Sequence, residues 1–208
     1  MPFRAAALGL MLTLLATNAM AQNDAAAQAD INQRIAARWT ALANDPAAPS
    51  IGRANADVTI VEFFDYTCPY CKAAEPRLEA LLKSDPKVKL VLQEFPILTP
   101  QSLVASKAAL AAMKQGKYAA YHNAMMRFEG KLTEADIFDM ARASGLDMTR
   151  LKRDMAAPAV SDEIINVFNL ARGIRVFQTP AFIVNGKLLS SESASIDFRR
   201  EVALARRH

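Results

Sequence analysis

V-T-I-V-E-F-F-D-Y-T-C-P-Y-C-K, from Val58 to Lys72, is the stretch whose reading decides the fold. Val58 to Phe64 is a β-branched and aromatic run of strand length, and Pro69, one residue past the first cysteine, suits the opening turn of a helix. Cys68 is therefore expected where a buried strand ends and a helix begins. The unpaired N–H groups and positive dipole end of a helix favour a thiolate over a thiol. Cys68 reads as the reactive thiol, accessible and of lowered pKa. Cys71, three residues on, is close enough to form a disulfide with it or to resolve a mixed disulfide. Pro69 offers no N–H, and Tyr70 is expected exposed at the lip of the site.

Cys-x-x-Cys is also half of a zinc ligand set. The chain has only these two cysteines and two histidines, His122 and the terminal His208. A tetrahedral site within one chain would need both histidines, so ligand count and context favour redox use, with no metal.

Residues 1–21 read as a secretory signal: Arg4 gives a positive start, Ala5 to Ala16 a short apolar core, and Ala19-Met20-Ala21 an A-x-A cleavage site. The apolar run is too short to span a bilayer, and the expected location is the periplasm. Removing Arg4 leaves 24 of the 25 basic residues against 21 acidic ones, a net charge of about +3. These charges are scattered, without the basic run or stacking array of a nucleic-acid binder, so no nucleic-acid partner is expected. An exported chain whose only two cysteines lie three residues apart has no disulfide framework for stability. The pair is there for exchange.

Residues 22–50 read as an N-terminal helical arm and linker. Asp24 to Leu42 forms an alanine-rich helix with Ile31, Ile35, Trp39 and Leu42 on one side, broken by Asn44-Asp45-Pro46 and Pro49-Ser50. That stripe either packs back on its own domain or forms a seam for a homo-oligomer. Residues 51–208 read as one domain. Lys87 to Phe95 is a second strand closed by Pro96. A helical insertion over about 101–175 follows: Leu103 to Gln115, Tyr118 to Phe128, a helix started by Thr133 with Glu134 and Asp136 and stopped at Gly145, and two more capped by Asp147 and Ser161, the last ending near Gly173. This is far more chain than a single crossover helix needs. Sheet signals resume over Pro180 to Leu189, where Asn185-Gly186 predicts a type I′ hairpin turn. Ser193 to Arg206 is a closing helix with basic last turns. Met125, Met126, Phe128, Phe138 and Met140 recur at helical spacing and read as core. His122 is expected to start or cap part of the insertion in a packing or surface role.

Strand, Cys-x-x-Cys helix, strand, helical insert, then Gln178-Thr179-Pro180 leading a hairpin and a final helix: this order resembles the thioredoxin fold as elaborated in the DsbA family of periplasmic thiol-disulfide oxidoreductases. The resemblance covers about Ile51 to the C-terminus and places the chain in the α/β class. Cys-Pro-Tyr-Cys with a threonine before the proline, plus an N-terminal arm, resembles the ScsC-type branch linked to copper tolerance. The resemblance implies a cis Thr179–Pro180 bond against the active-site cysteines, where the adjoining backbone pairs with an extended substrate chain; Pro69, Tyr70, Thr179 and Pro180 are its substrate-binding residues. It also implies that Glu62 is the buried acid beneath the cysteines, able to relay a proton to or from Cys71. Glu75 matches a second family acid, although a charged helix position is more often surface. Strongly oxidising members carry histidine where Tyr70 stands, so a less oxidising pair, nearer the isomerase range, is expected.

The function expected is disulfide exchange, as oxidase or isomerase, with unfolded or misfolded exported proteins that carry cysteines. A membrane redox partner would reset the pair, and no organic cofactor is implied. A thiol-based copper-binding module is the alternative from another class, since Cu(I) is a soft ion that prefers such ligands. A glutaredoxin-like reductase shares Cys-Pro-Tyr-Cys, but the leader and the large insert argue against it.

Overall fold

The computed structural model describes residues 20, 22–189 and 196–207. The expected leader, residues 1–21, lies outside them except for Met20, and so does the expected start of the closing helix at Ser193. In chain order the elements are α1 (22–36), α2 (Trp39–Ala43), β1 (Ser50–Gly52), β2 (Val58–Phe64), α3 (Pro69–Ser84), β3 (Val88–Glu94), α4 (Pro100–Met113), α5 (Tyr118–Arg127), α6 (Glu134–Ala143), α7 (Met148–Met155), α8 (Pro158–Gly173), β4 (Ala181–Val184), β5 (Lys187–Leu188) and α9 (Phe198–Ala205).

Side-chain caps start several helices. Thr99 and Thr133 each close a capping box with the residue three positions on, Ser102 and Asp136, and Asp147 accepts from the Arg150 N–H. The Thr99 cap begins α4 three residues ahead of the expected Leu103. Ser161 is not a cap: α8 starts at Pro158, whose fixed φ and missing N–H suit a first helical position, and Ser161 lies inside the helix. Asn185 and Gly186 both take positive φ, 43° and 88°, as a type I′ turn requires.

The sheet runs β1-β3-β2-β4-β5, with β2 and β3 parallel and the other pairs antiparallel. β1 straddles the expected boundary between the linker, which ends at residue 50, and the domain, which begins at 51, where the sequence suggests no strand. Its three residues pair with Lys89 to Val91, and Gly52 is required there on two counts: its φ is 112°, and a Cβ would lie 2.6 Å from the Val88 carbonyl oxygen. The arm is not one helix either. It turns at residues 37–38, and its apolar side chains pack on the chain's own sheet: Ile35 and Leu42 are fully buried with Val61, Phe63, Val91 and the α8 residues Val167 and Leu170.

Strand parity then positions the site, because alternate residues of a strand face opposite sides of the sheet. In β2, Ile60 and Phe64 face the core shared with α3, α5 and α9, whereas Val61 and Phe63 face the arm and α8. In β3, Leu90 and Leu92 take the α3 side and Val91 the arm side. Glu62 and Glu94 share the parity of the first set, so both acids point into the core beneath α3. Both are buried.

Candidate active site

Cys68 is the N-cap residue of α3, extended at φ −78° and ψ 118°, with Pro69 in the first turn. The expected junction between buried strand and helix is therefore present. Five hydrogen bonds to one carboxylate shape the approach to it. Asp65 Oδ1 accepts from the Thr67 N–H and the Thr67 and Ser102 hydroxyls, and Oδ2 accepts from the N–H groups of Ile97 and Leu98. The Cys68 N–H in turn donates to the Asp65 carbonyl at 3.0 Å. The loop before the cysteine is thus tied to the loop after β3 and to the first turn of α4.

Both cysteines are free thiols, and their environments push them in opposite directions. The Cys68 pKa is lowered to about 6, chiefly by the hydrogen bond that the Cys71 thiol gives it. Burial opposes that shift, while Thr179 and the backbone N–H groups of Cys71 and Tyr70 add to it. The Thr179 hydroxyl is buried beside the sulfur and completes no hydrogen bond with another group; the contact Sγ makes with this residue is to its carbonyl oxygen. Cys71 is fully buried, and burial first, then the proton it gives to Cys68, pushes its pKa far up. The arrangement holds one sulfur as a thiolate near neutral pH and its neighbour as a thiol.

The sequence led us to expect an accessible Cys68, but the residue is only 2% exposed. Its Sγ lies 3.4 Å from the Thr179 carbonyl oxygen, so the segment ahead of β4 stands against it. The Thr179–Pro180 peptide is cis, as expected. Tyr70 is exposed at the lip, and two further apolar side chains are exposed on segments that meet here: Phe177, two residues before Thr179, and Leu98, on the loop bound to Asp65.

Beneath the cysteines lies a group of ionisable side chains that water does not reach. Neither Glu62 oxygen has a hydrogen-bond partner. Burial, then the charges of Glu75, Cys68 and Glu94, hold its carboxyl pKa well above the usual range, so Glu62 carries a proton at neutral pH. Glu75 is not the surface position expected of it, being 4% exposed, with Oε2 3.5 Å from His122 Nε2. His122 lies inside α5, fully buried, rather than at its start. Its Nδ1 is 3.1 Å from the Tyr66 hydroxyl, and the Tyr118 ring stacks on the imidazole. Tyr66 and Tyr118 both reach Glu94 Oε1, at 3.1 and 2.8 Å. Burial raises the Glu94 pKa to about 8 against the opposing effect of the Ser106 hydroxyl and of these two. Sequence reading missed Asp65, Tyr66, Glu94 and Tyr118. The parity of Glu94 on an otherwise apolar strand was the one available signal. Among the described residues no cluster of three or more His, Cys, Asp or Glu side chains is placed to hold a metal ion.

A mixed sheet whose central parallel strands are joined by a helix carrying Cys-x-x-Cys at its start, with a cis-proline segment against the first sulfur, is a thioredoxin-like fold. The family model of the DSBA-like thioredoxin domain matches residues 59–202, and the chain belongs to that family. Among solved structures it is similar to a thioredoxin-like oxidoreductase from Silicibacter pomeroyi, at 43% identity and TM-score 0.77, covering 81% of this chain and 98% of that one. It is also similar to a linker-deletion mutant of ScsC from Proteus mirabilis, at 26% identity and TM-score 0.78, where 98% of this chain and 94% of the other are covered. The thiol:disulfide interchange protein DsbA of Bordetella pertussis is 29% identical over 142 residues, 64% of this chain and 66% of its own. A Na(+)/H(+) antiporter of Salinispora arenicola is 33% identical over 138 residues, which are 65% of this chain and 21% of its length. The chain thus spans about a fifth of that relative.

Proposed function

We propose that this chain is a periplasmic thiol:disulfide oxidoreductase that exchanges disulfides with cysteine-bearing exported proteins. The observation that carries this reading is the opposed pair of thiols, Cys68 lowered to about 6 and Cys71 raised by burial. A thiolate is both the attacking group and the better leaving group in exchange. In the oxidising direction a client thiolate attacks Cys68 Sγ, the Cys68–Cys71 bond breaks, and Cys71 departs as a thiolate that Glu62 protonates. A second client thiolate then attacks the client sulfur joined to Cys68, the client disulfide forms, and Cys68 is released as its stabilised thiolate. The reducing direction runs the same steps backwards, with the Cys71 proton returning to Glu62. The exposed apolar groups Tyr70, Leu98 and Phe177 offer an unfolded chain contacts around the buried sulfur.

Residues 1–21 serve as the export leader in this reading, and a membrane redox partner resets the pair. None of the described helices is long and apolar enough to cross a membrane. The arm contributes to the choice between oxidase and isomerase. Of its seam residues Ile35 and Leu42 are covered by the chain's own sheet and Ile31 and Trp39 are half-buried against it, which leaves the exposed helical residues 22–29 for contact between copies. Light scattering with and without the exposed residues 22–29, paired with refolding of a scrambled client, separates an isomerising oligomer from an oxidising monomer.

The test of exchange itself is trapping. Cys71→Ser is expected to accumulate a mixed disulfide with a disulfide-bonded, scrambled client, as the Cys68 thiolate attacks the client disulfide and releases one client thiolate with no Cys71 to resolve the product, and Cys68→Ser is expected to accumulate none. Equal trapping by both variants, or by neither, overturns the proposal.

A further inference from the structure

The buried cluster under the cysteines is larger than exchange through Glu62 alone requires, and its hydrogen bonds allow the protons to be assigned. Tyr66 and Tyr118 each have one hydroxyl proton, and both hydroxyls reach Glu94 Oε1. With those protons given to Oε1, and the proton of Glu94 itself on Oε2, which has no partner, the Tyr66 oxygen can only accept from His122, so Nδ1 carries a hydrogen. The other imidazole nitrogen faces Glu75 Oε2 at 3.5 Å, and neither atom has another partner. Two lone pairs cannot be left facing each other in a dry core. One proton therefore lies between them, either on the carboxyl facing a neutral ring or on an imidazolium facing a carboxylate. In both states the pair is neutral.

Glu62 is the neighbour that feels the difference. Glu75 is the largest of the charges acting on it, and its own oxygens have no donors. When Glu62 gives its proton to Cys71 it becomes a bare buried carboxylate, which a second carboxylate beside it would strongly oppose. We propose that His122 is a positioning residue for thiol exchange: by sharing one proton with Glu75 it lets Glu75 turn neutral whenever Glu62 becomes charged. The proton balance closes within the cluster. Glu62 loses one proton and Cys71 gains it, while the proton of the Glu75–His122 pair only moves from Nε2 to Oε2. The groups that act with His122 are Glu75 and the cysteines from α3, Glu62 from β2, Tyr66 from the loop after it, Glu94 from β3 and Tyr118 from its own helix. Asp65 adds its charge on the Glu94 side.

The inference rests on Cys68 and Cys71 being the exchanging pair, and the test separates the two. His122→Gln keeps an amide where Nε2 stands and can hydrogen-bond Glu75, but it cannot take up a proton. We expect opening of the Cys68–Cys71 disulfide by a small thiol to slow about tenfold at pH 8 and to approach the wild-type rate as the pH is lowered. Wild-type rates for His122→Gln across the whole pH range would reduce His122 to packing. If that variant does not fold, nitrogen NMR of the wild-type imidazoles reads the proton assignment itself, with only His122 and His208 to assign. The His122 Nδ1 is expected to carry a hydrogen, and an Nδ1 without one overturns the proposal. Mixed-disulfide trapping by Cys71→Ser does not depend on His122. Its failure would sink the exchange reading, whereas its success with an unchanged His122→Gln profile would sink only this one.

Discussion

Two carboxylates three residues apart, both fully buried, have opposite surroundings. Asp65, in the loop facing α4, accepts five hydrogen bonds, whereas Glu62, in the floor beneath α3, accepts none. A charge that is fully hydrogen-bonded can stay charged in a core and fix the backbone around it. An acid without donors is driven to its neutral form and keeps a proton to give. The loop therefore reads as scaffold and the floor as the proton-handling part of the site, although the same residue class builds both.

The largest effect should come from breaking the scaffold side. Asp65→Ala leaves three backbone N–H groups and two hydroxyls without their acceptor, so a loss on the order of 3–5 kcal/mol is expected in denaturant unfolding. Cys68 reactivity should fall with it, because the loop that ends in Cys68 loses its anchor. A loss below about 1 kcal/mol would mean that the five contacts are not what holds the loop.

Glu62→Gln probes the floor and should separate activity from stability. Exchange should slow about a hundredfold, the scale of one lost acid–base group, while stability at pH 7 should rise by about 1–2 kcal/mol. The sign follows from the raised carboxyl pKa of Glu62. The folded state pays for holding this acid neutral as pH climbs above its ordinary value of 4.5, and that cost is absent below it. The stability gap between variant and wild type should therefore close on acidification. A gap that widens towards low pH would contradict the assignment.

Thr179→Val is the mildest change, removing one hydroxyl that supports the thiolate. The expected shift is about 0.5–1.5 kcal/mol against the ionised sulfur, seen as a few-fold loss of Cys68 reactivity near pH 6. No change would leave Cys71 and the helix N–H groups as the whole support.

What the sequence made legible divides along the same line. β2, the cysteine helix, the Asn185-Gly186 turn and the Thr133 and Asp147 caps depend on a few neighbouring residues and on side-chain period, so they could be read directly. The proton cluster could not. Glu75 and His122 meet across 47 positions, and Tyr66 and Glu94 across 28. A charged residue on a helix looks like surface until the partner helix is placed. The arm was misread for a related reason: its apolar period fits a continuous helix, but reaching the sheet with both Ile35 and Leu42 goes with a turn between them. Ser161 was taken as a cap because the alternative start, Pro158, offers no side-chain hydrogen bond to look for.

The account stands on the ionisation of Cys68, and the pH dependence of its alkylation in the reduced protein measures that directly. A depressed thiol stabilises the reduced fold above its ordinary value of 9 and loses that contribution as pH falls through about 6. Alkylation should therefore follow a titration centred near pH 6, with Cys71 unreactive over the same range. A midpoint for Cys68 near 9, or Cys71 reacting first, would contradict the account.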